Sequence, residues 1–404
     1  MASFAGLRGT GNWGTDERPK NFREGILFYN PNGMAPIFAL TSMAKTNFTD
    51  DPEFAHWEEK LEPVRLEVDD NTGYTATSNT ITVFAQGLGS TAYKSSGALA
   101  LKAGDVVMLE KTETTTYDNE IMEVSSVTND TTIVLKRGIA GSSAVGFADN
   151  SFLTKIGSAY EEGSVAAAMT TRNPSKIYNY TQIFKTTVGA TKTAEATEAR
   201  TGDAFKNDKK RKAFDHASDI EMAILFGQRY ENSQQRFMGG LREFITTNQT
   251  IFATSPTEDT LLDALTPMFD FNKSESGDTR LGFCGNGWLN NFQKLIRDSS
   301  GVRINYEKVG KSVYGMNFNE FVFPQGRILL KSHPLMSRHG RYTNSAFFLD
   351  PASLIYRPLR GRDTKFEDNI QTPGKDSHEG QWVTEAGIEV DGEFTCGYIG
   401  NFVI

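Results

Sequence analysis

The stretch FKNDKKRKAFDHASDIEMAILFG, residues 205–227, decides how this chain folds. Phe214, Ala217, Ile220 and Ile224 fall on one face, and neither proline nor glycine interrupts the run before Gly227. That spacing predicts a single long helix closed by Gly227, ~20 residues and thus ~30 Å, enough to span a small domain. Its first half carries Lys206, Lys209, Lys210, Arg211 and Lys212, five positive charges in seven residues. Cations at a helix start oppose the macrodipole, so the cluster reads as a solvated face or as a contact for phosphates or an acidic neighbour.

Downstream of this helix, residues 255–335 read as a separate α/β unit. Thr257-Glu258 opens a helix with Leu261, Leu262, Leu265 and Met268 as its apolar positions. Leu281–Cys284 suits a buried strand, and Trp288, Phe292, Leu295 and Ile296 mark an amphipathic helix. Residues 318–323 and 327–330 flank Pro324-Gln325-Gly326, a hairpin with turn residues in place. The last sixty residues return to strands, at 345–349, 354–359 and 379–403.

Upstream the character changes. Residues 71–155 contain no Pro, Trp, Cys or His and many threonines. Runs at 80–83, 105–109, 121–124 and 132–135 read as short strands, with Asn129-Asp130 turning between the last two. This predicts a small all-β module inserted after the strand-like run at 64–68, with apolar faces that need covering by an adjacent subunit. Phe54, Trp57 and Leu61 have helical spacing, so a short helix is expected there, stopped by Pro63. Residues 1–34 are rich in Gly, Asn and Arg and bury little apolar surface, which suits an extended arm ordered by a partner.

At 404 residues the chain suits two or three domains of roughly 100–200 residues. Its net charge of −8 argues against a bulk nucleic-acid coater, so any such contact is local. Two cysteines, Cys284 and Cys396, make neither a disulfide framework nor by themselves a zinc site. The first residues lack the apolar core of a secretory signal, and no apolar run reaches the ~18 residues of a membrane span. The reading is a chain that is soluble and intracellular when made.

Chemistry finds no foothold. Val309-Gly310-Lys311-Ser312 matches the tail of a phosphate-cradling loop, but Asn305 stands where the first glycine belongs. Gly285-Asn286-Gly287 sits between strand and helix as dinucleotide sites do, yet Asn290 replaces the third glycine. His56, His216, His333, His339 and His378 show no metal-binding spacing, and no Gly-x-Ser-x-Gly elbow occurs. No enzyme, cofactor or metal is expected. A second basic group, Arg357, Arg360, Arg362 and Lys365, is sparse enough only for sequence-independent contact.

Several segments together carry a resemblance. They are PIFALT at 36–41, FAHWEE at 54–59, GDVV at 104–107, NEIMEV at 119–124, VLKRG at 134–138 and YNYTQIF at 178–184. To these add Asp219-Ile220-Glu221, Leu349-Asp350-Pro351 and Arg357-Pro358-Leu359. With the element order, they make the chain similar to major capsid proteins of tailed phages with the Hong Kong 97-type fold, in a branch with an elaborated E-loop. The NYTQIF run and the Arg-Gly at 137–138 are the most specific.

The resemblance implies an α+β fold: an N-terminal arm at 1–34, an E-loop at 35–165 with the β insertion at about 71–155, and a P-domain at 166–250 and 341–404. Its spine helix is the run at 205–227, and the A-domain is 251–340. It implies a structural, non-enzymatic virion protein that self-assembles into hexamers and pentamers of an icosahedral head enclosing double-stranded DNA, built in the host bacterial cytoplasm. The implied partners are copies of itself, a separate scaffolding protein, a portal protein, a decoration protein and, non-specifically, the packaged DNA; no membrane is involved. A nanocompartment shell of the same fold and a phage tail protein are the rival readings.

Overall fold

The structure is a computed structural model, described over residues 36–37, 46–59, 63–90, 94–110, 119–171, 173–198, 202–271, 277–298, 310–313 and 316–404. The expected arm at 1–34 lies outside the described residues. The chain divides into two units, one of residues 55–178 and one of residues 1–54 with 179–404.

The smaller unit is a β-barrel. Its six strands run in the order Arg65–Glu67, Phe152–Ser158, Asp105–Glu110, Ile121–Asn129, Thr132–Lys136, Thr80–Thr82, every neighbour antiparallel. The two outer strands meet through an antiparallel bridge between Val68 and Val83, and Phe84 N–H donates to the Glu67 carbonyl. Closure removes both sheet edges. Alternation along each strand turns Leu66, Ile81, Val107, Leu109, Met122, Val124, Ile133, Leu135 and Leu153 inward to one apolar core.

Two expectations change here. The module is wider than 71–155, because 65–67 and 152–158 are barrel staves. Its apolar strand faces are also covered by its own interior and need no neighbour for that purpose. The expected helix at Phe54–Leu61 is instead the strand Glu53–Glu58, followed by a stretch outside the described residues. Phe54 is buried while Trp57 stays 67% exposed, so their helical spacing was coincidental.

The larger unit is built on a mixed seven-stranded sheet in the order Gln249–Ile251, Gly397–Gly400, Ala346–Leu349, Thr279–Cys284, Gly326–Ser332, Met316–Phe323, Gly310–Val313. Successive residues face opposite sides, so Leu329 and Phe347 enter one core while Leu330 and Phe348 enter another. Ile220, Ile224 and Leu225 of the helix Ala204–Phe226 lie in the first core. The helices Glu258–Leu265 and Asn286–Asp298 cover the other side with Leu261, Leu265, Trp288 and Phe292. Burial on both faces explains why Ala346–Leu349 is a continuous apolar run. The expected boundary near 340 therefore cuts a sheet, since 346–349 and 397–400 pair into the α/β unit.

A second sheet is organised by the long strand Ser377–Val390. Its first ten residues pair with Gln182–Thr191, and its other edge takes Leu354–Pro358 and Lys365–Glu367. The mixed α+β class holds. The long helix matches its expectation, with Asp203 capping the Lys206 N–H at 3.1 Å. Gly227 ends it, though not through a left-handed turn. A Cβ there would lie 2.5 Å from the Met238 carbonyl oxygen, and Gly240 N–H donates to Gly227 O at 2.9 Å. Two backbones touch where only glycine fits.

Candidate functional site

The basic cluster at the start of the long helix is mostly balanced within the helix itself. Lys206 reaches Asp203 at 3.5 Å, Arg211 reaches Asp208 at 3.0 Å and Lys212 reaches Asp215 at 3.1 Å, all at i,i+3 spacing. Lys209 lies 3.5 Å over the Phe366 ring, and its carbonyl accepts from Trp382 Nε1 at 3.4 Å. Lys210 is exposed and has no side-chain partner among the described residues. From Asp203 to Asp219 five cations meet four carboxylates, leaving one net positive charge. The second basic group is also paired: Arg357 with Glu389, Arg360 with Asp50, Arg362 with Glu385 and Lys365 with Glu367.

The nucleotide-like motifs are occupied by protein. A Cβ on Gly285 would sit 2.2 Å from the Thr343 carbonyl oxygen, so this glycine admits a neighbouring backbone and leaves no phosphate cradle. The first helical amides already have acceptors, Asn286 N–H on Ser337 Oγ and Gly287 N–H on Thr343 Oγ1. Gly310-Lys311-Ser312 forms an edge strand paired with Met316–Phe323, where a P-loop would need a loop and a helix start.

Three of the histidines serve as structural joints. His216, on the long helix, bonds Thr186 through Nδ1 at 3.0 Å and Thr384 through Nε2 at 2.8 Å, and burial pushes its pKa down. His378 lies between Glu195 and Asp368, at 2.8 and 2.7 Å, and stacks on Phe205. The hydrogen bond to Glu195, then that to Asp368, pushes its pKa up. His333 is fully buried and bonds Glu221 at 2.6 Å.

The segments that carry the family resemblance turn out to hold buried polar anchors. Asn179 Nδ2 donates to the Gly239 and Ile388 carbonyls, and its Oδ1 accepts from Gly239 and Tyr180 N–H. One buried amide thus ties three distant parts of the chain. Gln182 Oε1 accepts Met238 N–H at 3.1 Å, and Phe184 enters the core. In the barrel, Arg137 of the VLKRG segment pairs with Glu120 of NEIMEV. Asp105 of GDVV holds Lys155 at 2.7 Å. Sequence reading found these segments by likeness but not what their polar residues do. Glu221 was missed as an anchor, its only signal being a carboxylate beside Ile220 and one turn before Ile224.

Apolar surface is left uncovered at specific places. Residues 164–171 run without secondary structure, with Val165 89% and Met169 98% exposed. Tyr230 and Phe237 face each other across the short hairpin Tyr230–Asn232 and Gln235–Phe237, with Tyr230 well exposed. Among the described residues no helix is long and apolar enough to cross a membrane.

Comparison with known proteins places this geometry. The major capsid protein of Pseudomonas phage PaMx41 is 27% identical over 387 residues, covering 93% of this chain and 87% of that protein. Among solved structures, the capsid of a native GTA particle aligns over 98% of both chains at 9% identity with a TM-score of 0.47. That of Mycobacterium phage Bobi covers 95% of both at 8% identity with a TM-score of 0.45. The SU10 major capsid protein family model matches residues 8–402. This match bears out the resemblance to tailed-phage capsid proteins of the Hong Kong 97-type fold. The chain belongs to the SU10 major capsid protein family and is a structural, non-enzymatic component of the phage head.

Proposed function

We propose that this chain is the shell subunit that assembles into hexamers and pentamers and closes an icosahedral head around double-stranded DNA. The observation that carries this reading is the family match across residues 8–402. The exposed apolar stretch around Val165 and Met169 supports it, because such surface in a soluble chain calls for a neighbouring subunit.

In this reading residues 1–34 are the arm and 35–165 the E-loop, which bears the six-stranded barrel as its inserted domain. Residues 166–250 and 341–404 form the P-domain around the long helix. The A-domain is 251–340 together with the strands 346–349 and 397–400 that share its sheet. Exposed Lys206 and Lys210 offer charge to a phosphate or an acidic neighbour, whereas Lys209, Arg211 and Lys212 mainly serve the helix's own contacts. Such a sparse surface suits sequence-independent DNA contact only. A separate scaffolding protein, a portal protein and a decoration protein complete the set of partners, and assembly takes place in the host bacterial cytoplasm.

Negative-stain microscopy of the expressed protein, alone and with its scaffolding protein, tests the proposal. Closed shells with capsomers are expected. Rods, tubes or a monodisperse monomer under every condition would contradict it.

A further inference from the structure

The buried Glu221 carboxylate joins three chain segments that are far apart in sequence. Its Oε1 accepts the Ile37 backbone N–H at 2.9 Å and faces His333 Nε2 at 2.6 Å. Glu221 lies mid-helix in Ala204–Phe226, while His333 follows the strand Gly326–Ser332 and caps the helix Pro334–Arg338. Ile37, Glu221 and His333 are all 0% exposed. The proton on His333 can be placed: Nδ1 accepts the Met336 N–H, so Nε2 carries hydrogen and donates to Glu221. The His333 N–H in turn donates to the Cys284 carbonyl at 2.7 Å, tying the joint to the central strand Thr279–Cys284.

A carboxylate is costly to bury, and it is retained only where donors converge on it. Here one of the donors is the backbone amide of residue 37. Pro36 has no N–H to offer, so Ile37 supplies the nearest donor after it, and its side chain enters the same core as Ile220, Ile224 and Met336. An apolar residue at 221 would fill the space yet leave two buried N–H groups without an acceptor.

We propose that Glu221 is the positioning residue that anchors the root of the amino-terminal segment to the body of the subunit. It fixes where the chain departs toward its neighbours, so the spine helix, the central sheet and the arm root share one acceptor. The assembly consequence rests on the reading of residues 1–34 as an inter-subunit arm; the anchoring itself does not.

The test uses full-length protein, with amide hydrogen exchange at Ile37 and particle yield with the scaffolding protein as separate readouts. Glu221→Gln keeps an acceptor oxygen and should preserve both. Glu221→Leu should fold, speed exchange at Ile37 by at least about tenfold and lower the yield of closed particles. Protection of Ile37 in Glu221→Leu equal to wild type would overturn the anchor, as would normal particle yield despite its loss. If the leucine variant fails to fold, wild type decides: protection at Ile37 supports the anchor, and exchange like that of an exposed amide overturns it. Deleting residues 1–34 separates the two ideas, since normal assembly without them would refute the arm reading while Ile37 protection still reports on Glu221.

Discussion

Arg137 closes a two-pronged ion pair on Glu120 inside the barrel, with Nε on Oε1 and Nη2 on Oε2 both at 2.6 Å. The side chains are only 4% and 0% exposed. The remaining Arg137 hydrogens reach the Thr75, Ser78 and Val145 carbonyls, while Glu120 also accepts from Gly138 and Val145 N–H. Such a pair is tolerable in a core only because nearly every lone pair and proton is used. Glu120→Ala strands the guanidinium, which should destabilise the barrel by ~3–5 kcal/mol. Hydrogen exchange at Val107, Met122 and Leu153 should accelerate, while that of the seven-stranded sheet stays as in wild type. Unchanged exchange in the barrel would contradict this role.

Asn179 offers a sharper contrast between two small changes. Asn179→Ala leaves two carbonyls and two amides without partners and should cost at least ~2 kcal/mol in denaturant unfolding of the larger unit. Asn179→Asp keeps the acceptor for Gly239 and Tyr180 N–H but turns a carboxylate oxygen toward the Gly239 and Ile388 carbonyls. It should therefore be no better than alanine at neutral pH. An aspartate variant as stable as wild type would rule out the donor role.

The His378 clip predicts a pH-dependent difference. Its folded pKa is raised by Glu195 and Asp368, so its stabilisation is full below the ordinary histidine value of about 6.5 and is lost as pH rises through the folded value. The melting temperatures of His378→Gln and wild type should differ most near pH ~6 and converge by pH ~9. His216 works in the opposite sense. Burial lowers its pKa, so its neutral form favours the fold above about 6.5 and that advantage fades as pH falls through its folded value. A gap for His378→Gln that grows with pH would contradict the assignment.

For the basic cluster the structure separates its members. Replacing Lys206 and Lys210 by Gln should leave the monomer's melting temperature within about 1 °C, since exposed pairs contribute little. It should lower particle yield or retained DNA, more so at low salt where charge is least screened. Lys209→Gln should instead loosen the contact with Phe366 and Trp382 and show as lost monomer stability. Equal DNA content at every ionic strength would make the face merely solvated.

How much the sequence disclosed depends on the range of the interaction. The long helix, the hairpin around Pro324-Gln325 and the turn at Asn129-Asp130 follow from local spacing and turn chemistry, and all three appear as expected. The balancing of Arg211 by Asp208 and of Lys212 by Asp215 was also within reach, being i,i+3 neighbours. What stayed hidden is long-range. A period of two marks Val68 and Val83 as strand residues but does not say that they meet and close a barrel. Nor does it show that 397–400 crosses between 249–251 and 346–349. Gly285 looked like a ligand-binding glycine because the sequence shows an absent side chain and never the Thr343 backbone that fills its place.

The central claim is that this chain builds the shell, and cryo-electron microscopy of purified phage particles measures it most directly. The account predicts that the chain fills the hexameric and pentameric positions of the head, with one six-stranded barrel per subunit. Density for the head that this chain does not fit, or its presence only in the tail, would contradict the account.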